Sequence, residues 1–387
     1  MPRRGDDRAP LTAVCLAPDA AAGEIRRLWD NRRAVLPADP RAPADDVRRV
    51  FAALRPTHVV DEGGTRRLDD GIPVAEEVAA VVATSGTTGA PRGVELTWDG
   101  MAAAVDATSV SVGSRPGDRW LCCLPVHHVA GLGILARSWL SGIDPIVVPF
   151  VATELHQAGA AFVSLVPTMF ARALDAGSDL SGFRRVLVGA APLSRSVSDR
   201  AQQAGVPFID AYGLTETWGG VVHNGHPLQG VEVELGPSNE ILVRGPMVMR
   251  AYRLRPDETA ATLSPDGWLR TGDVGRAEPG GSVRVVDRLR DVVVSGGVNV
   301  SPAEVEEVLA LCPGVADVCV TGRPDPEWGE RVVAHVVPVD PARPPATADV
   351  RAFAAERLAA PKVPRDVLLV ASVPRSSSGK LLRRLMA

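Results

Sequence analysis

The sequence predicts an α/β protein with a large N-terminal domain and a separate small α+β domain on a hinge. The large domain is expected to contain mostly parallel sheets flanked by helices, plus a small β subdomain. Three observations lead to this prediction. Strand-like and helical segments alternate from about residue 78 to 211, residues 221–287 are rich in Val, Gly and Pro, and a third pattern begins after residues 287–291. Such alternation is typical of parallel sheets covered by helices.

The alternating region supplies the predicted core of the large domain. Apolar, β-rich runs are expected to form strands at residues 78–84, 120–124, 145–150, 161–166, 185–188 and 207–210. Helices are predicted at residues 98–108, 129–140, 168–174 and 194–203. The first 75 residues are weakly periodic and rich in Arg, Ala and Asp, so they predict no more than partial helix.

The C-terminal part reads as a domain of its own, residues 288–387, after a first domain of residues 1–287. It begins with a Gly-rich loop and a helix that has Ser301 as its cap and Pro302 in its first turn. Strands are expected near residues 315–321 and 331–337, with a helix at 348–358. About 100 residues with a pattern of their own are enough for one small domain.

Composition excludes several classes of protein. The chain has 387 residues, 45% hydrophobic and 23% charged, and a net charge of −4 with no dense basic stripe, which argues against a nucleic-acid partner. Neither a membrane-length apolar run nor a signal-type stretch is evident, so we expect no membrane insertion and a cytoplasmic location. The five cysteines contain no Cys-x-x-Cys pair, and Cys122 and Cys123 are expected to be buried in a strand.

A Gly/Thr-rich segment is the strongest local signal. Residues 84–93 read TSGTTGAPRG, follow an apolar strand and precede a predicted helix. Amides and hydroxyls in such a loop can surround phosphate oxygens, although a polar strand-to-helix turn explains one such cluster equally well. No Gly-Lys-Ser/Thr closes the segment, so it is not a Walker loop. The candidate phosphate-binding residues are Thr84, Ser85, Gly86, Thr87, Thr88 and Gly89.

This segment resembles the phosphate loop of the acyl- and aryl-adenylate-forming ligases, the superfamily of acyl-CoA synthetases, peptide-synthetase adenylation domains and luciferases. Further segments match motifs of that family in the same order. They are DAYGLTE (210–216), GWLRTGD (267–273), DRLRD (287–291), SGGVNVSPAEVE (295–306) and PRSSSGK (374–380). The resemblance implies a carboxylic acid as substrate, with ATP, Mg²⁺ and coenzyme A.

The reaction implied by the resemblance brings two anions together, because a carboxylate attacks the α-phosphorus of ATP. Cations must offset the repulsion and the charge of the transition state. Lys380 is implied to bridge the carboxylate and the α-phosphate, Glu216 to hold Mg²⁺, and Thr215 to add a hydroxyl to the phosphate or metal shell. Lys362 and Lys380 are the only lysines among 42 Lys and Arg residues, which suggests that position 380 requires a compact ammonium.

Two further parts of the site follow from the resemblance. Asp273 is implied to accept both ribose hydroxyls and Arg288 to donate to the same sugar. His128 matches the family's His or aromatic position beside the acyl pocket. The pair His127-His128 is not expected to clamp a metal, because adjacent side chains diverge. The segments implied to surround the adenine contain Gly189, Ala190, Ala191, Asp210, Ala211, Tyr212, Gly213 and Leu214.

In the family, the small domain rotates after adenylation, withdraws the lysine and brings a glycine loop to line a pantetheine tunnel. Arg290 lies at the corresponding hinge, and Gly296 and Gly297 form the corresponding loop, where glycines allow a narrow ligand to pass closely. The chain departs from the family at Arg92, which replaces the loop's usual lysine, and in a shorter N-terminal region.

The short N-terminal region, residues 124–140 and residues 216–225 resemble the 2-succinylbenzoate–CoA ligases of menaquinone biosynthesis, in their short actinobacterial form. A dicarboxylic acid needs a cation for its unreacting carboxylate. Arg137 is the candidate, although a surface arginine on a helix would look the same. Trp218, Gly219 and Gly220 are expected to shape a pocket for the aromatic ring.

Other functions remain open at this point. Within the superfamily, the alternative is a ligase for another acyl or aryl acid, such as a fatty or benzoic acid. Residues 131–136 also fit the G-x-G-x-x-A fingerprint of nicotinamide-dependent oxidoreductases, with Glu154 downstream, but no clean strand turn precedes them. A non-catalytic nucleotide-binding protein is a third class, which retention of Lys380, Glu216 and Asp273 argues against. The sequence leaves open whether the chain forms a homo-oligomer.

Overall fold

The computed structural model describes residues 8–85, 91–155, 159–375 and 381–386. The chain divides into two compact units. Unit 1 contains residues 1–234 and 242–271, and unit 2 contains residues 235–241 and 272–387, as far as these are described. The domain boundary between residues 287 and 288 and the hinge at residues 287–291 stay predictions.

The strands, in chain order, are β1 (Arg8–Ala9), β2 (Leu11–Val14), β3 (Ala34–Pro37), β4 (His58–Asp61), β5 (Gly64–Arg67), β6 (Val74–Ala75), β7 (Val78–Ser85), β8 (Pro91–Thr97), β9 (Trp120–Cys122), β10 (Ile146–Val147), β11 (Phe162–Leu165), β12 (Arg185–Gly189), β13 (Phe208–Leu214), β14 (Gly219–His223), β15 (His226–Pro227), β16 (Glu232–Leu235), β17 (Glu240–Arg244), β18 (Ala251–Tyr252), β19 (Leu269–Ala277), β20 (Val283–Arg288), β21 (Val293–Ser295), β22 (Val298–Val300), β23 (Val315–Asp325), β24 (Gly329–Pro338) and β25 (Asp366–Leu369).

The α-helices are α1 (Pro18–Asp30), α2 (Ala44–Leu54), α3 (Trp98–Val112), α4 (Val129–Ser141), α5 (Pro167–Asp175), α6 (Arg195–Gln203), α7 (Pro256–Thr262), α8 (Pro302–Leu309) and α9 (Thr347–Ala355). In the described part of the chain, none of them has both the length and the apolar character that crossing a bilayer requires.

One sheet of unit 1 is built from the alternating region and has the strand order β10-β9-β11-β12-β13-β14-β15. Its neighbours from β10 to β13 are parallel, and β14 and β15 are antiparallel additions. Its strands β9 and β11 are buried throughout, and aliphatic and aromatic residues form a core with α5 and α6. The prediction of flanked, mostly parallel sheets is confirmed.

Burial also accounts for the cysteine pair in this sheet. Cys122 and Cys123 are both buried free thiols. Burial raises the pKa of Cys122 to about 11 and that of Cys123 to about 12. Both therefore remain protonated and behave as small apolar residues, as expected.

The first 75 residues form more structure than the sequence predicted. They supply β2, β3 and β4, which pair in parallel, and β3 joins β7 in a sheet of order β18-β8-β7-β3-β2-β4-β5. The strands β2 and β3 have four residues each, all buried, which is too short to show a period. Trp29 fixes α1 to this framework, because its indole N–H donates to the Ala79 carbonyl (3.1 Å) and its ring lies 5.6 Å from that of Trp139.

The predicted strand-to-helix setting of the Gly/Thr-rich segment is wrong. The segment connects β7 to a second strand, β8, and the two pair antiparallel from Val78 opposite Thr97 to Ser85 opposite Pro91. The sequence pattern did not predict this strand, because Pro91 and Gly93 are residue types that are uncommon in strands. Gly93 is required there, because a Cβ would lie 2.6 Å from Leu54 Cδ2. Residues 86–90 lie outside the described residues, so the positions predicted for Gly86, Thr87, Thr88 and Gly89 are untested.

Unit 2 contains the predicted α+β pattern. Its sheet has the order β22-β21-β24-β23, with β25 beside β24, and α8 and α9 contribute to one apolar core. Helix α8 begins as predicted, with Pro302 at its first turn and the Ser301 hydroxyl accepting from the Glu304 N–H at 3.2 Å. The chain between 221 and 287 is mainly strand, and β16, β17, β19 and β20 form a four-stranded sheet.

A very close backbone approach joins β13 to β14. A Cβ added at Gly213 would lie 1.8 Å from the Gly219 carbonyl oxygen, which no side chain can occupy. The register shifts at this point, between Tyr212 and Gly213. Only glycine permits the two strands to meet here, and the turn of residues 214–218 between them depends on that contact.

We therefore expect Gly213→Ala to lower the free energy of unfolding by about 3 kcal/mol, because either β13 or β14 must move. Urea unfolding followed by circular dichroism measures the change. Gly182→Ala is the matched control, since Gly182 is exposed with no heavy atom within 4 Å of its Cβ position. That variant should stay within about 0.5 kcal/mol of the wild type. Equal stability of the two variants would contradict the close approach.

Candidate active site

The carboxyl ends of β12 and β13 bring together two of the predicted nucleotide-binding segments. Gly189 lies opposite Ala211 in the parallel register, and a Cβ at Gly189 would lie 2.5 Å from the Ala211 carbonyl oxygen. Ala190 then turns the chain with a left-handed φ of 71°. Ligands of open α/β sheets bind outside the carboxyl ends of the strands, so Gly189–Ala191 and Asp210–Tyr212 are well placed for a common ligand.

The backbone of Asp210 is fixed from the other side. Its N–H donates to Asn224 Oδ1 at 2.9 Å, and the Asn224 N–H donates to its carbonyl at 2.8 Å. Asp210 is exposed and Tyr212 is half-buried. Their side chains thus lie at the surface beside the end of β13.

A short 3-10 turn, residues Thr215–Thr217, carries the predicted magnesium ligand. The Thr217 hydroxyl accepts from the Leu214 N–H (3.1 Å) and donates to the Gly219 carbonyl (2.7 Å), so it ties both ends of the turn together. The Met249 N–H donates to the Glu216 carbonyl at 2.7 Å. These bonds fix the backbone of Glu216 and Thr215 at the end of β13.

Tyr252 holds the Glu216 side chain. Its phenol donates to Glu216 Oε1 at 2.7 Å. Burial, together with the adjacent Glu216 carboxylate, raises the pKa of Tyr252, so the phenol stays protonated and remains a donor. The sequence analysis missed this residue, although Tyr252 is one of only two tyrosines in the chain.

Arg92, which replaces the family's lysine, packs on Tyr252. Its guanidinium carbon lies 4.7 Å from the centroid of the Tyr252 ring, and Nη1 lies 3.5 Å from Glu258 Oε2. Its Nε is buried and has no hydrogen-bond partner among the described residues. A flat guanidinium can stack on an aromatic ring in this way, whereas an ammonium makes a smaller contact.

The residues present fit a Mg²⁺ site of the kind that binds with a nucleotide. Tyr252 occupies one oxygen of the Glu216 carboxylate, and the other oxygen can serve as a ligand. Mg²⁺ is usually held by one or two carboxylates and substrate phosphates rather than by an all-protein cage. Among the described residues, no cluster of three or more His, Cys, Asp or Glu side chains is suited to hold a metal.

His128 precedes the first residue of α4, and its carbonyl accepts from the Leu132 N–H at 2.9 Å. The expectation that the two adjacent histidines diverge is wrong, because the rings of His127 and His128 lie 4.5 Å apart between centroids. Burial lowers the pKa of His128, and burial together with His128 lowers that of His127 to about 4. Both rings are therefore neutral at pH 7, because two neighbouring imidazolium ions would repel each other.

Arg137 is half-buried in unit 1 rather than exposed on its surface. It projects from α4, its guanidinium carbon lies 4.2 Å from the centroid of the Trp120 ring, and its Nε is buried without a partner among the described residues. Burial lowers the pKa of Arg137 to about 10, so it remains charged at pH 7. A buried guanidinium stacked on an aromatic ring is not the solvated surface residue that was the alternative reading.

Gly219 and Gly220, which were predicted to make room for the aromatic ring of the substrate, are in the same part of unit 1. Gly219 adopts a φ of 103°, and a Cβ at Gly220 would lie 3.0 Å from His223 Nε2. Trp218 is buried, and its indole N–H donates to the Thr97 carbonyl at 3.1 Å. Trp218 thus packs against the start of α3, and its role as a pocket wall stays a prediction.

In unit 2, the two residues predicted to bind the ribose form an ion pair. Asp273 on β19 lies directly opposite Arg288 on β20, with Arg288 Nε 2.7 Å from Asp273 Oδ1. The Asp273 side chain is only 4% exposed. Their proximity is what a shared ligand requires, and the ligand itself stays a prediction.

The predicted hinge and tunnel residues are also in unit 2. Arg290 lies in the short turn Leu289–Asp291. Gly296 has a φ of 59°, donates its N–H to the Trp328 carbonyl (2.8 Å), and leaves no room for a Cβ, which would lie 2.7 Å from the Trp328 ring. Gly297 has a φ of 78° with open space around it. Neither role is tested.

Lys380 lies outside the described residues, but both ends of its segment are fixed. Arg375 forms an antiparallel bridge with Leu381, and the Leu382 N–H donates to the Pro374 carbonyl at 2.9 Å. Arg375 Nη2 lies 2.8 Å from Asp317 Oδ1, which anchors the chain before residue 376 to β23.

Arg383 anchors the described residues that follow position 380. Its guanidinium contacts both carboxylate oxygens of Glu306 on α8, at 3.2 and 2.6 Å, and its Nη1 lies 3.4 Å from Asp291 Oδ2. Asp287 completes the arrangement, because its Oδ2 accepts from the Ser301 hydroxyl (2.7 Å) and from the Ala303 N–H (2.8 Å) at the start of α8.

Comparison with known families gives two matches. The AMP-binding enzyme family matches residues 44–253, and the AMP-binding enzyme C-terminal domain matches residues 304–380. A 2-succinylbenzoate–CoA ligase of Bacillus cereus (strain Q1) is 34% identical over 338 residues, which cover 80% of this chain and 69% of that protein. The ligase of the same name from Listeria monocytogenes serotype 4b is 33% identical over 324 residues.

This chain is also similar to solved structures. The o-succinylbenzoate CoA synthetase MenE of Bacillus subtilis, in complex with its acyl-adenylate OSB-AMP, is 25% identical with a TM-score of 0.86, covering 97% of this chain and 88% of that one. The amide bond synthetase McbA of Marinactinospora thermotolerans is 27% identical with a TM-score of 0.85, covering 99% and 90%.

The anchoring of residues 381–386 can be tested by Arg383→Met. Loss of the guanidinium removes its bonds to Glu306 and Asp291, so we expect the amides of residues 381–386 to exchange hydrogen at least ~10-fold faster. Hydrogen–deuterium exchange with mass spectrometry measures this rate. Arg384→Met is the control, since Arg384 is exposed. Equal exchange rates in the two variants would show that Arg383 is not the anchor.

Proposed function

Because this chain belongs to the AMP-binding enzyme family, we propose that it is an AMP-forming acid–CoA ligase that converts 2-succinylbenzoate to 2-succinylbenzoyl-CoA. This reaction is a step of menaquinone biosynthesis. The similarity to 2-succinylbenzoate–CoA ligases, 34% identity over 80% of the chain, is the observation that carries the proposal. The buried cation Arg137 suits a substrate that keeps one carboxylate throughout the reaction.

The first half-reaction in this proposal is adenylation of the acid. One carboxylate oxygen attacks the α-phosphorus of ATP, the bond to the β-phosphate breaks, and pyrophosphate leaves with its electron pair. The Lys380 ammonium offsets the charge of both reactants. Gly189–Ala191 and Asp210–Tyr212 bind the adenine, and Asp273 and Arg288 bind the ribose.

Glu216 is the proposed Mg²⁺ ligand, positioned by the Tyr252 phenol and by the turn of residues 215–217. The bound ion would neutralise phosphate charge and orient the pyrophosphate for departure. Thr84 and Ser85, at the end of β7, are the described part of the proposed phosphate loop. The Thr84 side chain faces Arg92, whose carbonyl lies 3.5 Å from the Thr84 hydroxyl.

The second half-reaction transfers the acyl group to sulfur. The thiolate of coenzyme A attacks the acyl carbon, the bond to the phosphate oxygen breaks, and AMP leaves. Gly296 and Gly297 are the proposed passage for the pantetheine arm, because their lack of side chains leaves the loop narrow. Arg290 is the proposed hinge residue that lets one site perform both half-reactions.

The role of Lys380 separates the two half-reactions. Lys380→Ala should abolish acid-dependent exchange of pyrophosphate into ATP, because the variant lacks the cation shared by the two anions. Thioester formation from supplied 2-succinylbenzoyl-adenylate should largely survive. Lys362→Ala is the control, since Lys362 pairs with Glu304 at 2.7 Å within unit 2. Undiminished exchange in Lys380→Ala would refute the proposed role.

The identity of the acid substrate is tested by measuring the exchange of pyrophosphate into ATP with each of a panel of acids. We expect 2-succinylbenzoate to give the highest kcat/KM, followed by other aromatic acids, with fatty acids much lower. The acceptor is tested in parallel by offering coenzyme A or simple amines to the adenylate and identifying the product by mass spectrometry. A wide preference for an aliphatic acid, or an amide as the main product, would show that the proposed reaction is wrong.

The hydrogen bond from Tyr252 predicts a changed metal requirement in Tyr252→Phe. That variant keeps the ring beneath Arg92 and removes only the hydroxyl. A hydrogen bond to a carboxylate contributes about 1–2 kcal/mol, so the Mg²⁺ concentration for half-maximal adenylation should rise ~5- to 20-fold. The KM for the acid should stay within ~2-fold. An unchanged Mg²⁺ requirement would disconnect Tyr252 from the metal ligand.

A further inference from the structure

Three elements of unit 1 converge on one histidine that no motif assigned. His223 lies on β14, Ser111 on α3 and Arg137 on α4, and each of these elements packs against the other two. His223 is only 6% exposed. The side chain nevertheless has a free hydrogen-bonding position, because its Nε2 is buried without a partner among the described residues.

The orientation of the imidazole is fixed by Ser111. The Ser111 Oγ lies 2.7 Å from His223 Nδ1. When the serine hydroxyl donates to Nδ1, the ring proton is on Nε2, which then becomes a donor. The contact with Ser111 thus leaves His223 able to offer one N–H in a defined direction.

Glycines lie next to both His223 and Arg137. A Cβ at Gly220 would lie 3.0 Å from Nε2, so any larger residue there would crowd that atom. Gly133 on α4 lies near the cation, where a Cβ would be 3.5 Å from Arg137 Nη1 and 3.8 Å from the Trp218 carbonyl oxygen. Both donors therefore have a residue without a side chain as a neighbour.

The charge balance of this region favours an anion. Arg137 keeps its positive charge, its guanidinium rests on Trp120, and its Nε has no hydrogen-bond partner among the described residues. Burial, with a contribution from Arg137, lowers the pKa of His223 to about 4, so its ring is neutral at pH 7. Arg137 Nε and His223 Nε2 are both buried without an acceptor among the described residues, and a cation beside a neutral N–H donor favours an acceptor that carries negative charge.

We propose that His223, oriented by Ser111, is a specificity-determining residue that donates from Nε2 to the unreacting carboxylate of the substrate, which Arg137 neutralises. Ser111 acts through His223 and is a positioning residue. The inference rests on the proposed function and extends it, because it assigns to the carboxylate a second partner beside the guanidinium. A monocarboxylic acid would leave both donors buried and unpaired, so the pair selects for a diacid.

Three acids test this inference: 2-succinylbenzoate, 4-oxo-4-phenylbutanoate, which lacks the ring carboxylate, and 2-butanoylbenzoate, which lacks the succinyl carboxylate. The kcat/KM for pyrophosphate exchange is measured for each. His223→Phe should lower the value for 2-succinylbenzoate ~10- to 100-fold, as expected for a lost hydrogen bond to a charged group. The monocarboxylate that the wild type still adenylates should change less than ~3-fold.

Further variants distinguish recognition from folding. His223→Gln retains an N–H donor and should recover part of the activity that His223→Phe loses. Ser111→Ala should reduce the diacid preference by a smaller factor. His226→Phe is the matched control, because His226 is exposed and lies opposite His223 in the β14–β15 pair, and it should leave the preference unchanged.

The outcomes separate this inference from the proposed function. Equal losses for the diacid and the monocarboxylate in His223→Phe would mean that His223 only supports the fold, and an unchanged diacid preference would place it outside the site. Either result overturns the inference and leaves the ligase function standing. Failure of the wild type to use any of the three acids would instead overturn the proposed function.

Discussion

The close contact between β13 and β14 at Gly213 is the constraint on which the candidate site of unit 1 depends. The Gly213 α-carbon and the Gly219 carbonyl meet where no side chain fits, so the chain reverses within a few residues. The Thr217 hydroxyl bonds to both ends of the turn. On one side of that turn Glu216 meets Tyr252, and on the other side β14 presents His223. The same turn of the backbone therefore positions both Glu216, the proposed metal ligand, and His223, the inferred substrate donor.

Nearly all of the positively charged side chains are arginines, and several of their contacts depend on the shape of the guanidinium group. Arg92 stacks on Tyr252, Arg137 stacks on Trp120, and Arg383 contacts both oxygens of Glu306. Each contact uses the flat, forked guanidinium. Of the two lysines, Lys362 makes an ordinary ion pair with Glu304, which leaves Lys380 as the compact ammonium required by the proposed adenylation step.

Unit 2 keeps its proposed functional residues in place through a network of carboxylates. Asp287 holds the start of α8, and Glu306 on that helix binds Arg383. Residue 383 is thus tied to the DRLRD segment through a single helix. A shift in that segment would reach Arg383 through α8, which is what the proposed alternation between two half-reactions requires.

The sequence alone determined the family, the α/β class, the strand–helix alternation between residues 78 and 211, and the start of α8. These features depend on local patterns: apolar periodicity, caps, and motifs whose residues are contiguous. The sequence could not give the three short parallel strands of the first 75 residues, because four buried residues carry no readable period. It also misread the Gly/Thr-rich segment, since Pro91 and Gly93 concealed β8.

Only the tertiary structure decided which distant residues meet. Tyr252 and Glu216 are 36 positions apart, and Ser111 and His223 are 112 apart. Side-chain partners across such separations are chosen by how sheets and helices pack, and packing leaves no local signature in the chain. The motifs therefore predicted the type of reaction, whereas the fold determined which residues orient Glu216 and His223.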